Sequence, residues 1–172
     1  LIAIGADSKA FGIDATAIAS NSLATGARSV AIGTSSATNS ENAIAVGTAA
    51  EALNSDAVSI GTASEATGQN STTIGTEASA TKTNSTAIGS SANAMSSNSY
   101  AIGTSSRANG ERAFAVGTGS SATAERSFSV GSDATAAGKN STAIGSSASA
   151  EGSDSFAVGT GSGATAGRCF SV

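Results

Sequence analysis

Large apolar and small residues alternate along the chain in short bursts that recur every 14 residues. Ser29-Val30-Ala31-Ile32-Gly33 is one burst, and Ser85-Thr86-Ala87-Ile88-Gly89 is another. With Gly5 as a marker, steps of 14 reach Ala19, Gly33, Gly47, Gly61, Gly75, Gly89, Gly103, Gly117, Gly131, Gly145 and Gly159. Ala19 is the one exception, and no insertion or deletion breaks the frame. The residue before each marker is always Ile or Val. The residue three before it is β-branched or aromatic, from Ile2, Thr16 and Val30 to Phe114, Phe128 and Phe156. Between these two columns stands a small residue, usually Ala.

Alternation with a period of two predicts a strand, and β-branched residues at the large positions fit a pleated surface. No 3.6-residue periodicity is sustained over ten or more residues, so helices are not expected. A second half-pattern follows each marker. Three residues on is always Ser or Ala, and five on is Ala except at Thr38. Nine on is always Asn, Asp or Arg, where a turn would need a residue that tolerates positive φ. Each unit therefore reads strand, turn, short strand, turn: one flattened coil of an all-β parallel solenoid. Twelve such coils at ~4.8 Å spacing would make a rod roughly 58 Å long.

Val30 and Ile32 point to one face of the strand and Ala31 to the other. The reading adopted places the large residues in the coil core: Val30, Ile32, Ile60, Ile74, Ile88, Ile102, Val116, Ile144 and Val158. Ser36 and Thr38 then point inward from the opposing strand, so that large side chains meet small ones. The intervening alanines, Ala31, Ala45, Ala87, Ala101, Ala115, Ala143 and Ala157, would face outward as a ladder that lets another chain approach closely. Two large residues per coil do not offset the cost of ordering fourteen, so assembly through that ladder is expected.

Composition narrows the chemistry. The chain has 172 residues, net charge −4, one Cys and no His. A Ser-His-Asp or Cys-His arrangement is therefore excluded, as is a His-ligated metal, and a lone Cys builds neither an internal disulfide nor a zinc site. The acidic balance argues against nucleic acid as a partner. No apolar run is long enough to span a membrane as a helix, so this segment is not expected to insert directly. Carboxylates such as Asp7, Glu41, Asp56 and Glu151 are dispersed along a regular repeat that offers no cleft. No catalytic, cofactor-binding or metal-binding residue is assigned, and no enzyme activity is expected.

The units Asn84-Ser85-Thr86-Ala87-Ile88-Gly89, Asn140-Ser141-Thr142-Ala143-Ile144-Gly145, Asn98-Ser99-Tyr100-Ala101-Ile102-Gly103 and Arg28-Ser29-Val30-Ala31-Ile32-Gly33 resemble the Asn-Ser-Val-Ala-Ile-Gly repeat of YadA-like heads. Those heads belong to the trimeric autotransporter adhesins of Gram-negative bacteria. The resemblance covers residues 1–172 in twelve consecutive in-frame units. It implies a left-handed parallel β-roll assembled as a homotrimer. It also implies display on the bacterial surface, tethered to the outer membrane by segments outside this chain. The implied partners are host matrix proteins, host cell-surface molecules or other bacteria. Neck, stalk and anchor are missing from the sequence, which is read as part of a head within a longer protein. Thr often stands where the collagen-binding form of the motif has Val.

Other columns invite other readings. Asn70, Asn84 and Asn98 are expected to stack as an amide ladder at one turn. Arg112 and Arg126 would repel each other from successive coils, with Glu111 and Glu125 offsetting them. The Thr column after the marker (Thr34, Thr48, Thr62, Thr76, Thr104, Thr118) raises an ice-binding surface as an alternative. A purely structural spacer and a solenoid enzyme are the remaining ones. Cys169 stands in a column of Ser and Ala, as a small packed residue.

Overall fold

Strand lengths set the cross-section of the coil. In the computed structural model, which describes residues 1–172, each 14-residue unit carries one three-residue strand and one two-residue strand, such as Val30–Ile32 and Ala37–Thr38. Two turns join them. The chain divides into two units, Leu1–Ser85 and Thr86–Val172. In the first, the long strands Ile2–Ile4, Thr16–Ile18, Val30–Ile32, Ile44–Val46, Val58–Ile60 and Thr72–Ile74 stack in parallel, and the short strands Lys9–Ala10 to Ser79–Ala80 stack opposite them. The second unit repeats the arrangement, with long strands from Thr86–Ile88 to Phe170–Ser171 and short strands from Asn93–Ala94 to Gly163–Ala164. Register follows the sequence repeat: Val30 pairs with Ile44, Ala31 with Ala45 and Ile32 with Val46.

Both turns close by the same device. The Ser36 N–H donates to the Gly33 carbonyl (3.1 Å) and the Ser29 N–H to the Gly26 carbonyl (3.3 Å). The third residue of each turn has positive φ, 58° at Ser35 and 56° at Arg28, the signature of a type II turn. The Asn/Asp/Arg column is that third residue. Asn and Asp tolerate the conformation because their short polar side chains bond locally. Turn backbones also join the ladder: the Ser35 N–H donates to the Ser20 carbonyl of the preceding coil at 3.0 Å. Strand N–H groups donate the other way, as from Val30 to Ala43 at 2.9 Å.

The interior is where the structure departs from the sequence reading. Ala31, Ala45, Ala87, Ala101, Ala115, Ala143 and Ala157 are fully buried within their own coil. They line the space between the two sheets and cannot be the ladder that meets another chain. The expected core residues point the opposite way. Ile32, Ile60, Ile74 and Ile144 are 36–41% exposed, and Val30, Ile88, Ile102, Val116 and Val158 are half-buried on the outer face of the long-strand sheet. Thickness is the cause. Ser29, Ala31, Ser36 and Thr38 all point into one coil from both strands and are all fully buried. Two short strands closed by tight turns leave room only for methyl and hydroxyl groups. The inward placement of Ser36 and Thr38 agrees with the sequence reading; the large-against-small pairing does not.

Many interior serines bond to the turn beside them, whereas the hydroxyls of Ser36, Thr38, Ser120, Ser141 and Ser155 are buried without a hydrogen-bond partner. The Ser29 hydroxyl donates to the Gly26 carbonyl (2.7 Å), Ser22 to Ala19 (2.8 Å) and Ser106 to Gly103 (2.8 Å). Where Ser59 and Thr73 replace interior alanines, the Thr73 hydroxyl donates to Ser59 Oγ at 3.1 Å, and Ser59 shares a hydrogen with Ser64 at 2.7 Å. At these positions the pairing removes the penalty of burying a bare hydroxyl.

The marker glycine answers two constraints at once. Gly47 has φ of 138°, and a Cβ there would sit 2.4 Å from the Gly61 carbonyl oxygen of the next coil. Ala19 occupies the same position with φ pulled back to 99°. Ala19→Gly is therefore expected to stabilise the protein by about 1 kcal/mol, strain relief exceeding the added chain entropy. Gly47→Ala should destabilise it by roughly 1–3 kcal/mol. Urea unfolding of the two variants beside the parent chain checks both signs.

Candidate interaction surface

Each coil presents two outward strand faces of opposite chemistry. The long-strand face carries the large residues that sequence reasoning placed inside. In the first unit, Ile32, Ile60 and Ile74 lie there with Val30, Ile44 and Val58; in the second, Ile144 and Phe156 lie there with Ile88, Val116 and Val158. In the second unit the same face holds stacked rings. Phe114 and Phe128 lie 5.1 Å apart with planes 5° from parallel, Phe156 and Phe170 lie 5.5 Å apart at 7°, and Tyr100 tilts against Phe114 at 6.1 Å. The rings lean on neighbours along the stack, yet Tyr100 stays 40% exposed and Phe128 37%.

The short-strand face is polar and irregular. Lys9, Glu51 and Glu65 project from it in the first unit, and Arg107, Ser121 and Thr135 in the second. Residues two positions along, such as Asn39, Asn109 and Thr123, are exposed beside them. Columns that accept Lys, Glu, Arg and Leu alike face water, because no packing selects among them.

Turn edges carry ordered charge. Asn42 Nδ2 donates to Asp56 Oδ1 at 2.9 Å, Asn140 to Asp154 at 2.9 Å, and Asn70 to Asn84 at 3.3 Å. The last is a rung of the expected amide ladder. Arg28 forms an ion pair with Glu41 and bonds Asn42. Arg112 lies 3.8 Å from Glu111, and Arg126 lies 3.5 Å from Glu125. Glu125 also accepts from Lys139 at 2.8 Å. The Lys139 hydrogen bond and charge, with Arg126 and Arg112 behind them, hold the Glu125 carboxyl below its ordinary pKa. These groups are exposed or half-exposed, so each pair contributes little to stability.

The Thr column after the marker lies in a turn and not on a strand face: Thr34 and Thr48 precede the positive-φ residues Ser35 and Ala49. It forms no flat two-column array. Cys169 is half-buried as a free thiol packed against the alanine cluster around Ala150 and Ala164, in the small column as expected.

The sequence profile of the family described as "YadA head domain repeat (2 copies)" matches residues 2–18, 20–36, 24–50, 39–64, 52–78, 66–92, 96–120, 108–134, 122–148 and 136–162. The chain belongs to the YadA head family. A solved structure described as the collagen-binding domain of Yersinia adhesin YadA is similar to it. The likeness is 25% identity over 78% of this chain and 68% of that one, with a TM-score of 0.54. No curated protein sequence matches the chain. The YadA family is one of adhesins and not of enzymes, and its members are surface-exposed proteins anchored in the outer membrane. In this chain, no helix is long and apolar enough to cross a membrane.

The outward apolar face is the feature that sequence reasoning missed. A signal for it was present. Four columns of each repeat are small in almost every copy, and four small columns fill a coil from both strands without any large one.

The depressed Glu125 carboxyl gives a check with a definite sign. A carboxylate whose pKa is lowered on folding stabilises the folded state above its unfolded pKa and loses that contribution as pH falls through the folded value. Lys139→Ala is expected to move the Glu125 midpoint upward in a carboxyl-carbon NMR titration. The melting temperature at neutral pH should change little, because the pair is solvent-screened.

Proposed function

We propose that this chain is the adhesive part of a bacterial surface head, in which three copies meet through their long-strand faces and display their short-strand faces outward. The observation that carries the reading is the contrast between the two faces. One holds a continuous column of Ile, Val, Phe and Tyr that no part of the same coil covers; the other is variable and mostly polar, with Phe11 and Met95 as isolated exposed apolar residues. A chain whose interior contains only Ala, Ser and Thr gains little from its own core. In the second unit alone, the two apolar columns leave on the order of 600 Å² exposed, near the ~800 Å² one partner gives to a standard interface. Burying it removes the largest apolar surface from water.

Adhesion then works by repetition. Each trimer would carry three copies of the same shallow polar face, with neighbouring coils offering similar contacts one strand spacing apart. No single contact needs to be strong, because simultaneous contacts multiply affinity when the partner is itself extended and repetitive. A fibrous host matrix protein of the collagen type has that character. The similarity to a collagen-binding domain supports this class of ligand. Display outside the cell, with the anchor supplied by other segments, completes the reading.

Ile60→Lys with Ile74→Lys places two ammonium groups per chain on the long-strand face of the first unit. Light scattering should show a trimer for the parent chain and loss of the trimer for the variant. Retention on collagen-coated surfaces should fall by roughly 100-fold with the loss of multivalency. A variant that stays trimeric would show that this face points to solvent. A trimeric parent that ignores collagen and other matrix proteins would remove the ligand assignment.

A further inference from the structure

A repeat of identical coils has a register problem. A chain displaced along its partners by one coil presents almost the same surface, so a trimer of such chains could form in several alignments. The column just before the marker does not prevent this. In the second unit it reads Ile88, Ile102, Val116, Val130, Ile144 and Val158, all β-branched and near in size.

The column two residues earlier is different. Along the second unit it reads Thr86, Tyr100, Phe114, Phe128, Thr142, Phe156 and Phe170. The rings stack in two blocks, Tyr100-Phe114-Phe128 and Phe156-Phe170, and Thr142 interrupts them on the same face. In a threefold assembly with chains in register, each level holds three like residues: rings with rings, Thr142 with Thr142. A displacement of one coil sets Thr86 against Tyr100, Phe128 against Thr142, and Thr142 against Phe156. Each such level would combine a ring-sized side chain with a hydroxyl-bearing small one, leaving either a void or an overlap.

We infer that the interrupted aromatic column of the second unit, with Thr142 as its gap, fixes the register in which the copies of this chain align. The inference rests on the assembly reading above and deepens it. It gives the long-strand face of this unit a role in partner alignment besides burial, the role that a single odd residue plays in an otherwise uniform coiled-coil seam. Tyr100, Phe114, Phe128, Phe156 and Phe170 are then specificity residues. Their value lies in their order along the face as well as in their area.

The test uses the full chain with Cys169→Ser, as two differently tagged populations carrying Val130→Cys or Ile144→Cys. The populations are unfolded together, refolded and oxidised, and the disulfides are read by mass spectrometry. The parent should give like pairs, 130 with 130 and 144 with 144. Adding Thr142→Phe closes the gap and should raise the mixed 130–144 pair by about tenfold, since the penalty against displacement falls. Tyr100→Thr with Phe114→Thr and Phe128→Thr removes the first ring block, leaves Thr142 against Phe156 as the one mismatched level on displacement, and should raise the same mixed pair, with circular dichroism confirming retained β structure. A parent that already forms mixed pairs freely overturns the inference, as do variants that keep only like pairs. A parent that is monomeric by light scattering fails the assembly reading itself, an outcome distinct from these.

Discussion

The narrowness of the space between the two sheets governs this protein. A coil of fourteen residues spends its length on two short strands and two tight turns, and what remains inside is wide enough for methyl and hydroxyl groups. From that limit the small columns follow: Ala31, Ser29, Ser36 and Thr38 in one coil and their equivalents elsewhere. The outward placement of every large side chain follows as well. Cohesion within a chain therefore rests on the backbone ladder, turns included, more than on side-chain burial. Hydrophobic stabilisation is left for the outer face, where only another surface can collect it.

The period, the strands and the turns were legible in the sequence because each has a local cause. Gly33 and Gly47 mark positions of positive φ and close backbone approach, and Asn42 and Asp56 mark the third residue of a turn. The sidedness of the strand was not legible from alternation, which is symmetric under exchange of the two faces. In a thick globular core Val30 and Ile32 would point inward and Ala31 outward; the thinness of this coil decides the reverse. The opposing strand was faced correctly, with Ser36 and Thr38 inward, although the large-against-small fit that put them there is absent; the constant small columns beside a variable column that admits Lys, Glu and Arg are the sounder signal. The same comparison of constant and variable columns, applied to the long strand, argues for the alanine interior.

This sidedness carries the functional reading. Membership of the YadA head family supplies the adhesive role, and the contrast between the two faces supports the proposed division of labour. In the proposed assembly the apolar exterior of an Ala-lined coil drives association and leaves the short-strand faces for display. Surface charge plays a minor part: the Glu125 cluster and the Arg28–Glu41 pair order the turn edges without contributing much to stability.

The most direct measurement adds the same bulk at two adjacent positions, Ile44→Phe and Ala45→Phe, and follows thermal unfolding by circular dichroism. Position 44 lies in the outward column that already accepts Phe114 and Phe128, whereas Ala45 is fully buried between the sheets. The account predicts that Ile44→Phe keeps the parental melting transition and that Ala45→Phe loses the folded state or melts far below it. A tolerated Ala45→Phe beside a disruptive Ile44→Phe would reverse the two faces and contradict the account at its root.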